Sequence, residues 1–383
     1  MYRKFKADVI FNGYSFINPE SVLITTAEGE IVDIVNERDA GNDIQTFKGV
    51  LCPGFINCHC HIELSYLKNK IAPHTGLVDF VLEVLNNRKD MSATRVQAME
   101  LAIQELQENG TVAIGDICND ASSIPVKLHR TLYWYNFIEV SGFVNETAGK
   151  RFFAAEEIAK EFSIAGLSYS IVPHAPYSVS EKLFRILNDN NSGKLISIHN
   201  QEERSENELY KNKSGDFLRL YKNMGIDIDG FSATNKTSFQ SWLPYFNKTQ
   251  KIIAVHNTFI SQEDIDMAKN VIFCLCINAN LYIENTVPPL DLLMRNDCRI
   301  VIGTDSYASN RQLNMLEEMK SIQLHFPMIK SETILKWATM NGADALGISN
   351  RYGSFEKGKT PGIVLVENCK EYFTQASKAK MIV

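Results

Sequence analysis

The pattern of apolar and polar residues differs between the middle of the chain and its two ends. Over residues 7–50, short stretches alternate apolar and polar positions and are interrupted by turn pairs such as Asn12 and Gly13. Alternation with a period of two is typical of β-strands. One more such stretch lies near the C-terminus, at 362–366. We therefore expect a small β-sandwich domain built from residues 1–50 and 351–383.

Between these ends, apolar runs alternate with segments of helical spacing. The runs predict eight strands, near residues 51–61, 111–117, 133–140, 167–172, 195–199, 252–256, 271–277 and 300–305. Leu77, Phe80 and Val81, followed by Val84 and Leu85, have the spacing of one helix face. Eight repeated strand and helix units predict an α/β fold, a (β/α)8 TIM barrel over residues 51–350.

Polar residues collect where these predicted strands end, which is where TIM barrels carry their chemistry. Five of the eight histidines lie at strand ends, whereas His74, His129 and His325 lie in predicted loops or helices and are assigned structural roles. The strand-end residues are His59, His61, His174, His199, His256 and Asp305. Closure of a barrel would bring them together. A single strand histidine is more often a packing residue, but their shared position favours a site.

The first of these strand ends places two histidines on one face. Because side chains alternate along a strand, His59 and His61 point the same way, while Cys58 and Cys60 point to the other side. Imidazoles combined with a carboxylate suit zinc, which lowers the pKa of bound water from about 15.7 to about 7. Glu202, three residues beyond His199, could then move protons.

Composition excludes several other classes of protein. The 383 residues carry a formal net charge of -6, which argues against nucleic-acid binding and leaves a small molecule as the expected partner. No apolar run approaches the roughly 20 residues that span a bilayer, so no membrane association is expected. The first residues lack the apolar core of a signal peptide, and the eight cysteines form no framework, so we expect reduced thiols and a cytoplasmic protein.

These residues resemble the amidohydrolase superfamily over nearly the whole chain. Residues 53–61 read PGFINCHCH, which is similar to the PGFxNxHxH opening of that superfamily. HNQE at 199–202, His256 and GTD at 303–305 resemble its later motifs, and PHAPYSVS at 173–180 resembles its aminohydrolase branch. That branch includes adenosine-type, S-adenosylhomocysteine, guanine and aminofutalosine deaminases. The resemblance implies a hydrolase that releases ammonia from an amino-substituted heterocycle.

The resemblance also implies a role for each matching residue. The implied metal ligands are His59, His61, His199 and Asp305; the implied catalytic residues are Glu202, His256 and Asp305; the implied substrate contacts are His174 and Ser306. Glu202 would protonate a ring nitrogen, His256 would orient the attacking water, and Asp305 would accept its proton. Dinuclear members use a lysine on the fourth strand, and residues 167–172 contain none, so one divalent metal is implied, zinc or alternatively iron.

Two departures from the branch pattern concern turns. Ser306 stands where deaminases often have glycine, which puts the shape of the turn after the eighth strand in doubt. The segment 276–280, CINAN, lacks the proline and serine of the related CPxSN element. Neither departure touches an implied ligand.

Other signals are weaker. GSFEKGKT at 353–360 satisfies a phosphate-loop expression, but a proline and a glycine follow it directly, so we interpret it as a turn into the β-domain. The connection over 204–250 is the longest between strands and is our candidate for the specificity element; its aromatics Phe239, Trp242 and Tyr245 could cover a substrate ring but are more typical of core.

The sequence therefore predicts deamination of a nucleoside such as an aminofutalosine or S-adenosylhomocysteine type. One alternative is hydrolysis of a cyclic amide or carbon–halogen bond by the same site. Another, from a different class, is a non-catalytic binding barrel, which would be expected to have lost ligand residues. Homodimerisation is expected only because it is common among cytosolic enzymes.

Overall fold

The computed structural model describes residues 2–88, 93–129, 131–369 and 372–383. Its strands are β1 Arg3–Ile10, β2 Ser21–Thr25, β3 Ile31–Asn36, β4 Ile44–Pro53, β5 Phe55–Cys60, β6 Thr111–Cys118, β7 Tyr133–Val140, β8 Ser168–Pro173, β9 Ile196–Asn200, β10 Ile252–His256, β11 Val271–Leu275, β12 Arg299–Ile302, β13 Ile363–Glu367 and β14 Ala379–Met381. The predicted domain ranges also include residues 1, 89–92, 130 and 370–371, which lie outside the described residues.

Helices fill most of the connections between the strands. They are α1 Glu37–Ala40, α2 Leu77–Asn87, α3 Ala93–Glu108, α4 Ile124–Leu128, α5 Ala148–Ile164, α6 Glu181–Asn190, α7 Arg204–Asn212, α8 Phe217–Met224, α9 Ser238–Trp242, α10 Gln262–Met267, α11 Ile277–Glu284, α12 Leu290–Arg295, α13 Met315–His325, α14 Ser331–Ala338 and α15 Met340–Ala345. No helix within the described ranges is both long and apolar enough to cross a membrane.

Both chain ends contribute to one six-stranded sheet, in the order β14-β13-β4-β1-β2-β3. Its central strand β4 pairs in parallel with β1 and antiparallel with β13, so the early and late segments share a ladder. Phe5, Leu51 and Leu365 belong to a buried cluster of this sheet. The expected sandwich requires a second facing sheet, whereas the described strands outside this sheet belong to two parallel sheets.

The middle of the chain forms two parallel sheets of four strands, in the orders β5-β6-β7-β8 and β12-β11-β10-β9. Seven of the eight predicted strands are confirmed within a few residues at their ends, whereas the first predicted range, 51–61, takes in the end of β4 of the six-stranded sheet as well as β5. Apolar runs such as β10 are buried along their whole length, as expected for parallel strands covered on both faces. Two predicted ends were wrong: His61 lies just beyond β5, and Asp305 lies three residues beyond β12.

Backbone hydrogen bonds join the two sheets at the carboxyl ends of their outer strands. The His199 N–H donates to the His174 carbonyl at 3.0 Å, where β8 meets β9. The Asp305 N–H donates to the His59 carbonyl at 3.0 Å, where the segment after β12 meets β5. The strand ends that carry the candidate residues therefore lie side by side.

The cysteines of β5 confirm the predicted alternation of its side chains. Cys58 packs toward α15, and its thiol lies 3.9 Å from the Gly342 carbonyl oxygen. A Cβ at Gly342 would lie 2.7 Å from the Cβ of Ile56, so only glycine allows α15 to approach β5 this closely. Cys60 belongs to a separate buried cluster with Met99. Neither cysteine faces the same side as His59.

The phosphate-loop-like segment at 353–360 is a turn between α15 and β13, as predicted. It contains neither helix nor strand. Its Lys359 donates to the Ser354 hydroxyl at 2.8 Å and pairs with Glu356, so the lysine of the motif is occupied within its own turn. The strand and helix that a phosphate loop requires are not on the correct sides of it.

Candidate metal centre and active site

Four side chains meet at the carboxyl ends of β5, β9 and β12. They are His59, His61, His199 and Asp305, and their ligand atoms all lie within 4.8 Å of one another. The Nε2 atom of His61 lies 3.1 Å from Nε2 of His59 and 3.3 Å from Nε2 of His199. Oδ1 of Asp305 lies 3.2 Å from His61 Nε2 and 3.5 Å from His59 Nε2.

Hydrogen bonds outside the cluster orient two of these ligands. The Nδ1–H of His199 donates to the His174 carbonyl at 2.8 Å, which leaves its Nε2 free to bind a metal. The Ser309 hydroxyl donates to Oδ2 of Asp305 at 2.6 Å, which leaves Oδ1 directed at the histidines. Ser309 was not predicted, because its contact depends on the path of the turn after β12.

The Gly-Thr-Asp segment is held against β5 by close packing and by Asn57. A Cβ at Gly303 would lie 2.8 Å from the Cβ of His59, so this position requires glycine. The buried Asn57 amide donates to the Thr304 hydroxyl at 2.8 Å, and its oxygen accepts from the Thr304 N–H at 3.1 Å. The asparagine of the opening motif therefore fixes the strand that carries two ligands to the segment that carries a third.

The backbone of the turn after β12 explains why serine can stand at position 306, where deaminases often have glycine. Asp305 itself has a φ of 57°, in the left-handed region, whereas Ser306 is not among the residues of positive φ. Such a backbone is uncommon at residues other than glycine, although aspartate adopts it more readily than most. Glycine is therefore not needed at position 306, and the buried Ser306 hydroxyl instead lies 3.1 Å from that of Ser309.

Burial and mutual contact shift the pKa values of these four side chains in different directions. Burial lowers the pKa of His59 and brings the pKa of His199 well below its usual range. For His61, the hydrogen bond and charge of Asp305 outweigh burial and raise the pKa. Burial opposes ionisation of Asp305, but its bonds to the two histidines hold its pKa well below its usual range. Imidazoles and an ionised carboxylate fit a divalent metal ion.

Glu202 and His256 lie beside this cluster and have complementary properties. Burial, followed by the nearby charge of Asp305, raises the pKa of Glu202 well above its usual range, which favours the protonated form of this carboxyl. Burial lowers the pKa of His256 to about 4, so its ring is neutral. Nε2 of His256 lies 3.6 Å from Oε2 of Glu202. A protonated carboxyl can act as a general acid, and a neutral imidazole beside it can accept or donate a hydrogen bond.

A cavity of about 270 Å³ is lined by His61, His199, Asp305, Glu202 and His256, whereas His59 does not line it. His174 and Ser306, the predicted substrate contacts, both line it. The Nδ1 atom of His174 lies 2.7 Å from the Ser178 hydroxyl. The apolar wall consists largely of residues from α2, α8 and the segments beside them: Leu77, Phe80, Val81, Val84, Leu85, Phe143, Leu220, Tyr221, Met224 and Ile226.

Only part of the 204–250 connection reaches the cavity. Tyr221 and its neighbours on α8 line it, which agrees with the expectation that this connection shapes specificity. Phe239 and Trp242 are instead fully buried core residues, and the Trp242 ring N–H donates to Asn200 at 2.8 Å. The core interpretation of these two aromatics is therefore confirmed.

Sequence reasoning missed three charged residues of the cavity: Arg88, Glu139 and Arg151. Glu139 lies next to the last residue of β7, so a search of every strand end for carboxylates would have found it. Arg88 and Arg151 lie just after α2 and within α5, where the sequence offers no comparable signal.

Glu206 stabilises the loop that carries Glu202. Its Oε1 accepts from the Gln201 N–H at 2.9 Å and from the Ser238 hydroxyl. Burial raises the pKa of Glu206 to about 8, from an ordinary value of 4.5. The folded protein therefore retains a proton that the unfolded chain releases at lower pH. The resulting stabilisation is complete below pH 4.5 and is lost as pH rises through about 8.

Replacing Glu206 with glutamine is expected to weaken the dependence of stability on pH. Glutamine keeps an oxygen acceptor but does not titrate, so the free energy of unfolding should fall less between pH 5 and pH 8 than in the wild type. Urea unfolding at both pH values measures this difference. Glu100→Gln, on the exposed face of α3, is the matched control. An unchanged pH dependence in the Glu206 variant would contradict the expectation.

Comparison with known proteins gives a consistent result. A sequence model of the amidohydrolase family matches residues 50–382. The chain is 28% identical over 331 residues to an aminodeoxyfutalosine deaminase of Nitratiruptor sp., covering 83% of this chain and 79% of that protein. It is 25% identical over 390 residues to a 5′-deoxyadenosine deaminase of Methanococcus vannielii, covering 96% and 84%. The fold is similar to the crystal structure of Helicobacter pylori aminofutalosine deaminase with methylthio-coformycin, with a TM-score of 0.83 at 21% identity and coverage of 100% of both chains.

Proposed function

The chain belongs to the amidohydrolase family, and we propose that it deaminates an adenosine-type nucleoside by hydrolysis. The adenosine-type deaminases among its relatives and the metal-binding His/Asp site support hydrolysis of a carbon–nitrogen bond. One observation carries the proposal: Glu202 and His256 open into the same cavity as three of the four metal-binding side chains. Ammonia and a nucleoside with a ring carbonyl would be the products.

His59, His61, His199 and Asp305 would hold one divalent ion, which we propose is zinc. Three imidazoles and a carboxylate suit zinc, and β8 contains no lysine that could bridge a second ion. A divalent ion held there lowers the pKa of bound water from about 15.7 to about 7, which makes a nucleophile available at neutral pH.

The residues around the ion supply the proton transfers. Glu202, whose pKa is raised by burial and by the charge of Asp305, donates a proton to the ring nitrogen next to the carbon under attack. His256 orients the attacking water by hydrogen bonding, and Asp305 accepts the proton of that water. His174 and Ser306, which both line the cavity, would contact the substrate. The amino group takes up the proton held by Asp305 and leaves as ammonia when the tetrahedral adduct collapses, and the remaining hydroxyl proton returns to Glu202.

The cavity is suited to a nucleoside whose sugar substituent has both an apolar part and a charged group. Phe80, Val84 and Tyr221 belong to its apolar wall, and Arg88 and Arg151 also line it. An adenine ring at the ligands would leave the sugar and its 5′ substituent to meet that wall. This arrangement supports nucleosides of the aminofutalosine or S-adenosylhomocysteine type. Hydrolysis of a cyclic amide or a carbon–halogen bond is not favoured, since the relatives described above are deaminases.

We also propose that the two four-stranded sheets close into one (β/α)8 barrel. The hydrogen bonds from His199 to His174 and from Asp305 to His59 across the two junctions support this closure. The six-stranded sheet of the chain ends would form the small domain, with boundaries near 50 and 351. A cytoplasmic location and a homodimer remain proposals from the sequence.

Ammonia release from a panel of nucleosides tests the function. The panel contains adenosine, 5′-deoxyadenosine, 5′-methylthioadenosine, S-adenosylhomocysteine and aminodeoxyfutalosine, with guanine as a base that lacks the sugar. We expect at least one nucleoside to be deaminated with loss of adenine absorbance, and guanine not to be. Activity should disappear after dialysis against a chelator and return with Zn²⁺. Zinc-loaded protein that deaminates no member of the panel would refute the proposal.

A further inference from the structure

Glu139 is a carboxylate of the cavity to which the deamination reaction gives no role. It lies near the end of β7, its side chain is only 6% exposed, and it lines the cavity together with the metal ligands. Its Oε2 atom is buried and has no hydrogen-bond partner among the described residues. A buried carboxylate oxygen without a donor is destabilising, so this atom indicates that a ligand supplies the donor.

The two neighbouring imidazoles do not supply that donor. Nδ1 of His199 is 3.8 Å from Oε2 of Glu139, but its proton is donated to the His174 carbonyl at 2.8 Å. Nδ1 of His174 is 2.7 Å from the Ser178 hydroxyl. The carboxylate therefore lies beside the edge of His199 that faces away from the metal ligands, separated from them by one imidazole ring.

The chemistry of an adenosine-type nucleoside limits what can meet this carboxylate. The exocyclic amino group is the leaving group and must lie at the metal ligands. The remaining nitrogens of the purine ring carry no hydrogen and can only accept hydrogen bonds. Away from the reacting carbon, the donors common to these nucleosides are the sugar hydroxyls, and two adjacent hydroxyls match the two oxygens of a carboxylate.

We infer that Glu139 recognises the 2′- and 3′-hydroxyls of the substrate sugar and is a specificity-determining residue. This inference rests on the proposed function, because it takes the substrate to be a nucleoside. A carboxylate that only adjusted His199 or the metal would affect every substrate alike. A carboxylate that binds hydroxyls affects only the substrates that have them.

The experiment compares Glu139→Gln with the wild type on two substrates. These are the best nucleoside of the panel and its 2′,3′-dideoxy counterpart, which differ only in the two hydroxyls. Glutamine has nearly the same shape but loses the charge and one acceptor oxygen. Hydrogen bonds to a charged group are strong, so kcat/KM for the hydroxylated substrate should fall about 10- to 100-fold. The loss should appear mainly in KM, while the dideoxy substrate changes by less than about threefold.

Two measurements show that the variant is otherwise intact. Zinc content and thermal unfolding of Glu139→Gln should match those of the wild type. Glu157→Gln, on the exposed side of α5, is the control for loss of a carboxylate elsewhere and should behave as wild type on both substrates.

Each result bears on the inference separately from the proposed function. Equal losses for both substrates, or a lower zinc content, would show that Glu139 acts through His199 and would overturn the inference. No loss on either substrate would overturn it as well. All of these comparisons are made with an active wild-type deaminase, so none of them contradicts the proposed function. A wild type that deaminates no nucleoside would refute the proposed function, and the inference with it.

Discussion

Replacing Glu202 with glutamine is expected to lower kcat for ammonia release by about 10²- to 10⁴-fold. The reason is the raised pKa of Glu202, which burial and the charge of Asp305 cause and which favours the form that can donate a proton. Glutamine fills the same space but cannot transfer a proton to a ring nitrogen. Since Glu202 is not one of the four clustered ligand side chains, the metal content should not change. Steady-state kinetics, together with elemental analysis of the same samples, measures both quantities.

The Glu202 variant also separates chemistry from binding. KM should change far less than kcat if the carboxyl acts mainly in the transition state. Glu100→Gln, far along the chain on an exposed helix face, should retain full activity. Undiminished ammonia release by Glu202→Gln would remove this residue from the mechanism.

Replacing Asp305 with asparagine is expected to have the larger effect, because two functions are lost together. The carboxylate contacts two histidines of the cluster through Oδ1, and asparagine is a weaker ligand without charge. Zinc affinity should fall by more than about 100-fold, since even loss of an outer-shell partner weakens metal binding by 10- to 100-fold. Activity should stay low when zinc is saturating, because no carboxylate remains to accept the proton of the water.

Competition with a chromogenic chelator measures the zinc affinity of the Asp305 variant, and kinetics at saturating zinc measure the second effect. Asp291→Asn, exposed in the first turn of α12, should change neither. Ser309→Ala removes the hydroxyl that holds Oδ2 and should give an intermediate loss of affinity. Wild-type activity of Asp305→Asn at saturating zinc would contradict the assigned proton transfer.

The metal-binding side chains were predictable because their signals are local. His59 follows from strand alternation, and His199 and Asp305 follow from their positions at or beyond apolar runs. Parallel strands bring such positions together whatever the details of the loops. The raised pKa of Glu202 and the lowered pKa of His256 were not predictable, because both result from burial among particular neighbours.

The details of the turn and of the pocket depend on tertiary structure. The left-handed backbone of Asp305 makes Ser306 acceptable, and no pattern in the sequence reveals which residue takes that conformation. Arg88 and Arg151 reach the cavity from positions just after α2 and within α5, which resemble many surface positions in sequence. We expected a sandwich of two sheets from the chain ends, whereas their strands form one six-stranded sheet. The alternating pattern shows that one face of each strand is buried, but it does not show what covers that face.

The hydrogen bonds from Asp305 and Thr304 to the His59 carbonyl have a consequence for biosynthesis. The first two ligands leave the ribosome early, while the fourth is made almost 250 residues later. Until residue 199 has been made, a nascent chain can therefore offer zinc only His59 and His61 of this set, which is too few donors for a stable complex. Tight zinc capture must wait until the last parallel strand has docked, so metal loading reports completion of folding.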